Sequence, residues 1–105
     1  MMIIVTTNEI PGKDMTEVIG FVKGSTIQSK HVGKDIMASL KTIVGGEIKE
    51  YNDMFEKARQ LAIGRMVKNA EDLGANAIVG MRLQTSAIMS GASEIVAYGT
   101  AVKVK

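Results

Sequence analysis

Asp53-Met54-Phe55-Glu56-Lys57-Ala58-Arg59-Gln60-Leu61-Ala62-Ile63-Gly64-Arg65-Met66-Val67-Lys68-Asn69-Ala70-Glu71-Asp72-Leu73-Gly74 is the stretch on which the fold turns. Phe55, Ala58, Ala62, Met66, Ala70 and Leu73 recur every three or four residues, so they share one side of a helix. Asp53 and Glu56 have capping-box spacing, a side-chain acceptor at the cap and a carboxylate three residues on. Gly74 is a stop signal. The spacing predicts a helix over 53–73, about 30 Å long at about 1.5 Å per residue. Ala58, Ala62 and Ala70 keep its buried stripe small, so the axis can lie close to whatever it covers. Gly64 costs about 1 kcal/mol against Ala in a helix interior, and a close contact on a second face would explain it.

On the C-terminal side, Ala77 to Ile88 alternates. Ala77, Val79, Met81 and Leu83 face one way, and Gly80, Arg82, Gln84 and Ser86 the other. Met89-Ser90-Gly91-Ala92 fits a hairpin connection. Glu94 to Val104 reads as the last strand, with Val96, Tyr98, Val102 and Val104 on one face. Ile95, Ala97, Gly99 and Ala101 form its other face, whose small residues suit close approach by a helix or another subunit.

On the N-terminal side, Gly45-Gly46 closes a shorter helix over 34–44, carried by Ile36, Met37, Leu40, Ile43 and Val44. Before it, Thr16 to Ile27 reads as a strand. Val18, Ile19, Phe21 and Val22 put apolar groups on both of its faces, so cover is expected on both. Asn8 to Asp14 is turn chemistry and holds the single proline; Ile3 to Thr7 is a short β-branched strand. The order β, β, short α, long α, β, β favours an α+β sheet with its helices on one side.

The 105 residues suit one domain spanning 1–105. At 46% hydrophobic and 23% charged, the composition is that of a globular protein. There is no cysteine, which removes disulfides and thiolate metal sites. Small domains gain stability from disulfides, metals or assembly, and assembly is what remains. The net charge is +2, from 13 basic and 11 acidic residues. Lys23, Lys30, Lys34 and Lys41 are loosely spaced and followed by Glu47, Glu50, Asp53 and Glu56. Nucleic-acid binders concentrate Lys and Arg with aromatics between them, so no nucleic-acid partner is expected. No apolar run reaches the roughly 18 residues of a membrane span, and Met1 to Thr7 lacks the charged start of a signal peptide. The expected location is the cytoplasm, with no membrane partner.

A sheet under one main helix has a second face, and here that face is not plainly polar. Apolar patches beyond a few hundred Å² are rare on soluble monomers. The second face or the strand edges are therefore expected to meet further copies of the chain, as in cyclic homo-oligomers.

Several pieces together resemble the YbjQ family, which carries a heavy-metal-binding label. They are Val18-Ile19-Gly20, Gly24-Ser25-Thr26, Gly33-Lys34-Asp35-Ile36 and Ile43-Val44-Gly45-Gly46-Glu47-Ile48. Tyr51, Ala58-Arg59, Arg65-Met66, Leu73-Gly74-Ala75-Asn76-Ala77-Ile78-Val79-Gly80 and Ala97-Tyr98-Gly99-Thr100-Ala101-Val102 continue the match. The resemblance implies a β-α-β-β core like a dodecin subunit. It also implies a mainly antiparallel sheet, one long helix, extra short strands and assembly as a pentameric ring. It supplies no catalytic residue and no settled activity.

A metal ion is the cofactor to weigh. Soft metals take thiolate, thioether or imidazole, and the chain offers one histidine, His31. The eight methionines are scattered, and Met37 and Met66 sit on helix faces where Met serves as core filler. Copies of His31 around a ring could build a shared site, although a solvated loop histidine is the simpler reading. Glu47, Glu50, Asp53 and Glu56 offer oxygen ligands for hard cations, against the simpler reading of helix-start carboxylates. Ser25, Thr26, Ser29 and Lys30 after a glycine could cradle an anion, but no phosphate-loop motif is present. Arg59 and Arg65 lie about 240° apart around the helix and read as rim or solvated charges. Arg82 could pair with an acid across a subunit boundary. No nucleophile has a partnered base, so no enzyme activity is expected. The sequence reads as a ring-forming binding or scaffold protein, with metal binding between subunits as the alternative and a small interfacial active site behind it.

Overall fold

The computed structural model describes residues 1–28, 47–89 and 92–105. In chain order the elements are β1 (Ile3–Ile4), β2 (Met15–Gln28), α1 (Glu47–Asp72), β3 (Ala77–Met89) and β4 (Ala92–Val104). They form an α+β unit around a four-stranded sheet of order β1-β3-β4-β2. β1 runs parallel to β3, while β3 and β2 both pair antiparallel with β4. The helix expected over 34–44 lies outside the described residues.

Small residues set the spacing between helix and sheet. Ala58, Ala62, Met66 and Ala70 are buried on α1 against Val22 of β2, Ile78 of β3 and Ile95, Ala97 and Ala101 of β4. A Cβ built on Gly24 would overlap the amide nitrogen of Met66 and the carbonyl oxygen of Ala62. Helix and strand backbones therefore touch, as the alanine stripe predicts. Among the described residues nothing lies within 4 Å of a Cβ built on Gly64, so no close contact among them explains it.

The helix stops where expected. Gly74 has φ +86°, Ala75 N–H donates to Ala70 O (3.0 Å) and Gly74 N–H to Glu71 O (3.0 Å). These two bonds and a left-handed glycine make a Schellman cap. Its start is a correction: α1 begins at Glu47, so Asp53 and Glu56 lie inside it and form no capping box. Ile48 to Asn52 contain no breaker, and extending a helix costs less than starting one.

The register of β3 also needs correcting. Val79 faces Thr100 and Arg82 faces Tyr98, so Gly80 and Met81 together oppose Gly99. This is a bulge, with Gly80 at φ +63° as its left-handed residue. The side-chain alternation flips there. Ala77 and Val79 share the face away from α1 with Arg82, Gln84 and Ser86, while Met81 packs into the helix-side core.

The N-terminal segment covers the near half of the reverse face. Ile3, Val5 and Ile10 pack on Ala77, Val79, Val102 and Val104. The strand expected over 3–7 is regular only at Ile3–Ile4. Beyond it the bulge breaks the ladder, yet Met81 N–H still reaches Val5 O (3.0 Å) and Gly80 N–H reaches Thr7 O (2.8 Å). A type II turn through Pro11 and Gly12 (φ +82°), closed by Lys13 N–H to Ile10 O (3.1 Å), turns the chain toward β2.

Candidate functional site

Among the described residues, nothing covers the far half of the sheet on the reverse face. On β2, Val22, Gly24 and Thr26 lie under α1, while Phe21 and Ile27 point away and are exposed, as is Val18. The expectation that β2 is covered on both faces is thus met on one face by the described residues. On the opposite flank, Leu83 and Ile88 of β3 are exposed.

The two sheet edges differ. Along β2, Asn69 Oδ1 accepts from Lys23 N–H (3.2 Å), and Arg65 Nη1 donates to Ser25 O (2.6 Å). Helix side chains thus occupy the middle of this edge, a device that discourages strand addition. Along the other edge, the N-terminal segment accompanies β3 as far as Arg82, whose Nη1 donates to Thr6 O (2.9 Å) and Met81 O (2.8 Å). From Leu83 to Met89 no described strand pairs with the edge of β3 that faces away from β4.

Of the residues singled out by sequence, Ser25 and Thr26 prove to be strand residues and not an anion loop. Thr26 is buried, and its hydroxyl donates to Ala58 O (3.4 Å). Ser29, Lys30 and His31 lie outside the described residues. Glu47 and Glu50 fall in the first turn of α1. Glu56 accepts from Gln60 Nε2 (3.0 Å) and Arg59 Nη1 (3.1 Å). The Gln60 bond first and the Arg59 guanidinium next hold its carboxyl below the usual glutamate range. Met66 is fully buried core, as read. Among the described residues, no three His, Asp or Glu side chains come together as a metal would need.

Sequence reading missed one cluster. Register pairs Lys23 with Tyr98 and Tyr98 with Arg82, and the Phe21 ring lies 6.3 Å from that of Tyr98. Its members come from three strands, so only the sheet register could have found it. An open cavity of about 560 Å³ lies elsewhere, between the 8–15 loop and Val104.

Among the described residues these features define an α+β fold with one helix on a mixed sheet and two unlike, exposed flanks. Residues 2–105 match the family model described as "Putative heavy-metal-binding", and the chain belongs to that family, the YbjQ family. Among similar proteins, the UPF0145 protein of Methanosarcina acetivorans is 57% identical over 103 residues, covering 98% of this chain and 97% of the relative. That of Psychromonas ingrahamii is 59% identical over 104 residues, covering 99% of each. A crystal structure of a DUF74-family protein of unknown function from Pediococcus pentosaceus superimposes with a TM-score of 0.66. It is 18% identical and covers 99% of this chain and 98% of the other, which establishes likeness of fold alone. None of these names carries an enzymatic activity.

Proposed function

We propose that this chain is a cytoplasmic, ring-forming homo-oligomer, a pentamer, acting as a binding or scaffold protein with no catalytic step of its own. The observation that carries the reading is the separation of two apolar sets onto opposite flanks. Val18 (65% exposed) and Ile27 (64%) stand on β2, and Leu83 (42%) and Ile88 (47%) on β3. Unlike flanks that meet head to tail generate a ring when the rotation closes. The shape supports the same reading. The radius of gyration is 16.8 Å and the extents are 54 × 26 × 18 Å, against about 13 Å for a compact chain of 100 residues. The subunit number five comes from the family resemblance.

The test is sedimentation of two variants, Ile27→Lys and Leu83→Lys. Each is expected to reduce the wild-type assembly toward monomer while the circular dichroism spectrum stays native. Wild-type protein that sediments as a monomer, or variants that assemble as wild type does, would overturn the reading.

The family's description favours a second reading, a metal ion held between subunits. His31, Glu47 and Glu50 are its candidate ligands, supplied by more than one copy. Zinc titrated into the assembled protein would then bind in a fixed ratio to subunits, and His31→Ala would abolish that binding.

A further inference from the structure

The two edges of the sheet are guarded unequally. Along β2 the register shifts between Met15 and Glu17 and again between Val18 and Gly20, and such bulges turn an edge away from an incoming strand. Asn69 and Arg65 then occupy the Lys23 N–H and the Ser25 carbonyl. Along β3, among the described residues, no such device follows Arg82. Every residue from Leu83 to Ile88 is exposed, on both faces of the sheet. The stretch Leu83-Gln84-Thr85-Ser86-Ala87-Ile88-Met89 holds no charge and no proline. The direction of its main-chain groups follows from the bonds on either side. Met81 N–H donates to Val5 O (3.0 Å), so Met81 turns its main chain away from β4. Alternation along the strand turns the N–H and C=O groups of Leu83, Thr85 and Ala87 the same way. The other side of the sheet gives the same phase. Lys23 aims its N–H outward at Asn69, so Gly24 and Ala97 bond to each other, and Leu83, across from Ala97 on β3, takes no bond from it.

We propose that this edge joins one copy to the next by main-chain hydrogen bonds: Leu83, Thr85 and Ala87 extend the sheet onto the Ile27 end of β2 in a neighbouring copy. The proposal rests on the head-to-tail reading above and adds the bonding that holds it together. An exposed, uncharged strand edge invites aggregation, and that hazard accompanies the chain wherever it is made. A second copy is the one partner present wherever the chain is, which selects it over an unrelated protein. Ile27 is where β2 can answer. The edge before it is interrupted by bulges and by side chains of α1, while the Ile27 main chain faces outward in phase with Lys23 and Ser25.

The experiment is amide hydrogen exchange of the full chain, read by NMR beside sedimentation of wild type, Thr85→Pro and Thr85→Val. Proline lacks the N–H and is tolerated in an edge strand whose donor faces away from the sheet, so Thr85→Pro should keep the subunit fold. The account predicts an assembled wild type with slow exchange at Leu83, Thr85, Ala87 and Ile27. Thr85→Pro should fall to monomers of native circular dichroism and lose the protection at Leu83, Ala87 and Ile27. Thr85→Val keeps the donor and should behave as wild type. An assembled wild type whose four amides exchange freely would overturn the ladder and leave the ring reading standing, whereas a wild-type monomer with free exchange would overturn both. Slow exchange in a monomer would place the cover within the chain, and a closed dimer would pair β3 with itself; either result defeats the proposal. So does Thr85→Pro that assembles as wild type. Should Thr85→Pro not fold, wild-type exchange at these four amides decides alone.

Discussion

Gly24 of β2 and Met66 of α1 stand backbone to backbone, with no room between them for a methyl group. The contact sets how deeply the helix sits on β2 and β4. Gly24→Ala must push whole elements apart, since the obstruction is main chain and not a flexible side-chain end. Overpacking typically costs 1–3 kcal/mol, and this position is expected at or above about 3 kcal/mol. Gly64 is the contrast, because among the described residues a Cβ there would meet open space. Gly64→Ala should stabilise the helix by about 0.5–1 kcal/mol. Urea unfolding of both variants checks the pair, and equal effects would contradict this packing.

Asn76 extends the sheet by imitation of a backbone. Its Nδ2 donates to Val104 O (2.9 Å) and its Oδ1 accepts from Val104 N–H (2.8 Å). Asn76→Ala leaves both main-chain groups without that partner in a part-buried place. The expected loss is about 1–3 kcal/mol, read by thermal unfolding. Faster hydrogen exchange at the Val104 amide would localise it.

Sequence carried the elements and their packing faces further than their registers. The alanine stripe predicted the close helix, and Gly74 predicted the stop, because both depend on local spacing. The Gly80–Met81 bulge could not be read, since Gly80 fits equally well as a small residue in a regular strand. One extra residue there moves Arg82 onto the row of Tyr98. The edge cover by Arg65 and Asn69 was hidden for a similar reason: it needs the distance between α1 and β2, which Gly24 sets. The metal candidates His31, Glu47 and Glu50 were chosen by residue type alone, and His31 lies outside the described residues.

The Glu56 carboxyl is held below its usual range by Gln60 first and Arg59 second. A depressed acid contributes stability above its unfolded pKa and loses it as pH falls through the folded value. Acid should therefore weaken this turn of α1. By NMR titration, Gln60→Ala should raise the Glu56 midpoint, and Arg59→Met should do so too. Lys68 runs the other way: the Asp72 carboxylate raises its pKa. Its contribution is complete below the unfolded pKa and fades as pH rises through the folded value. Both pairs are exposed, so their effect on global stability should be small. Midpoints unmoved by these substitutions would contradict the assigned causes.

Native mass spectrometry of the untagged full chain, purified without chelator, tests the central claim of assembly most directly. The account predicts one closed species of five copies. A bare ring would leave assembly in place and weigh against a resident metal, whereas a monomer would contradict the account at its root.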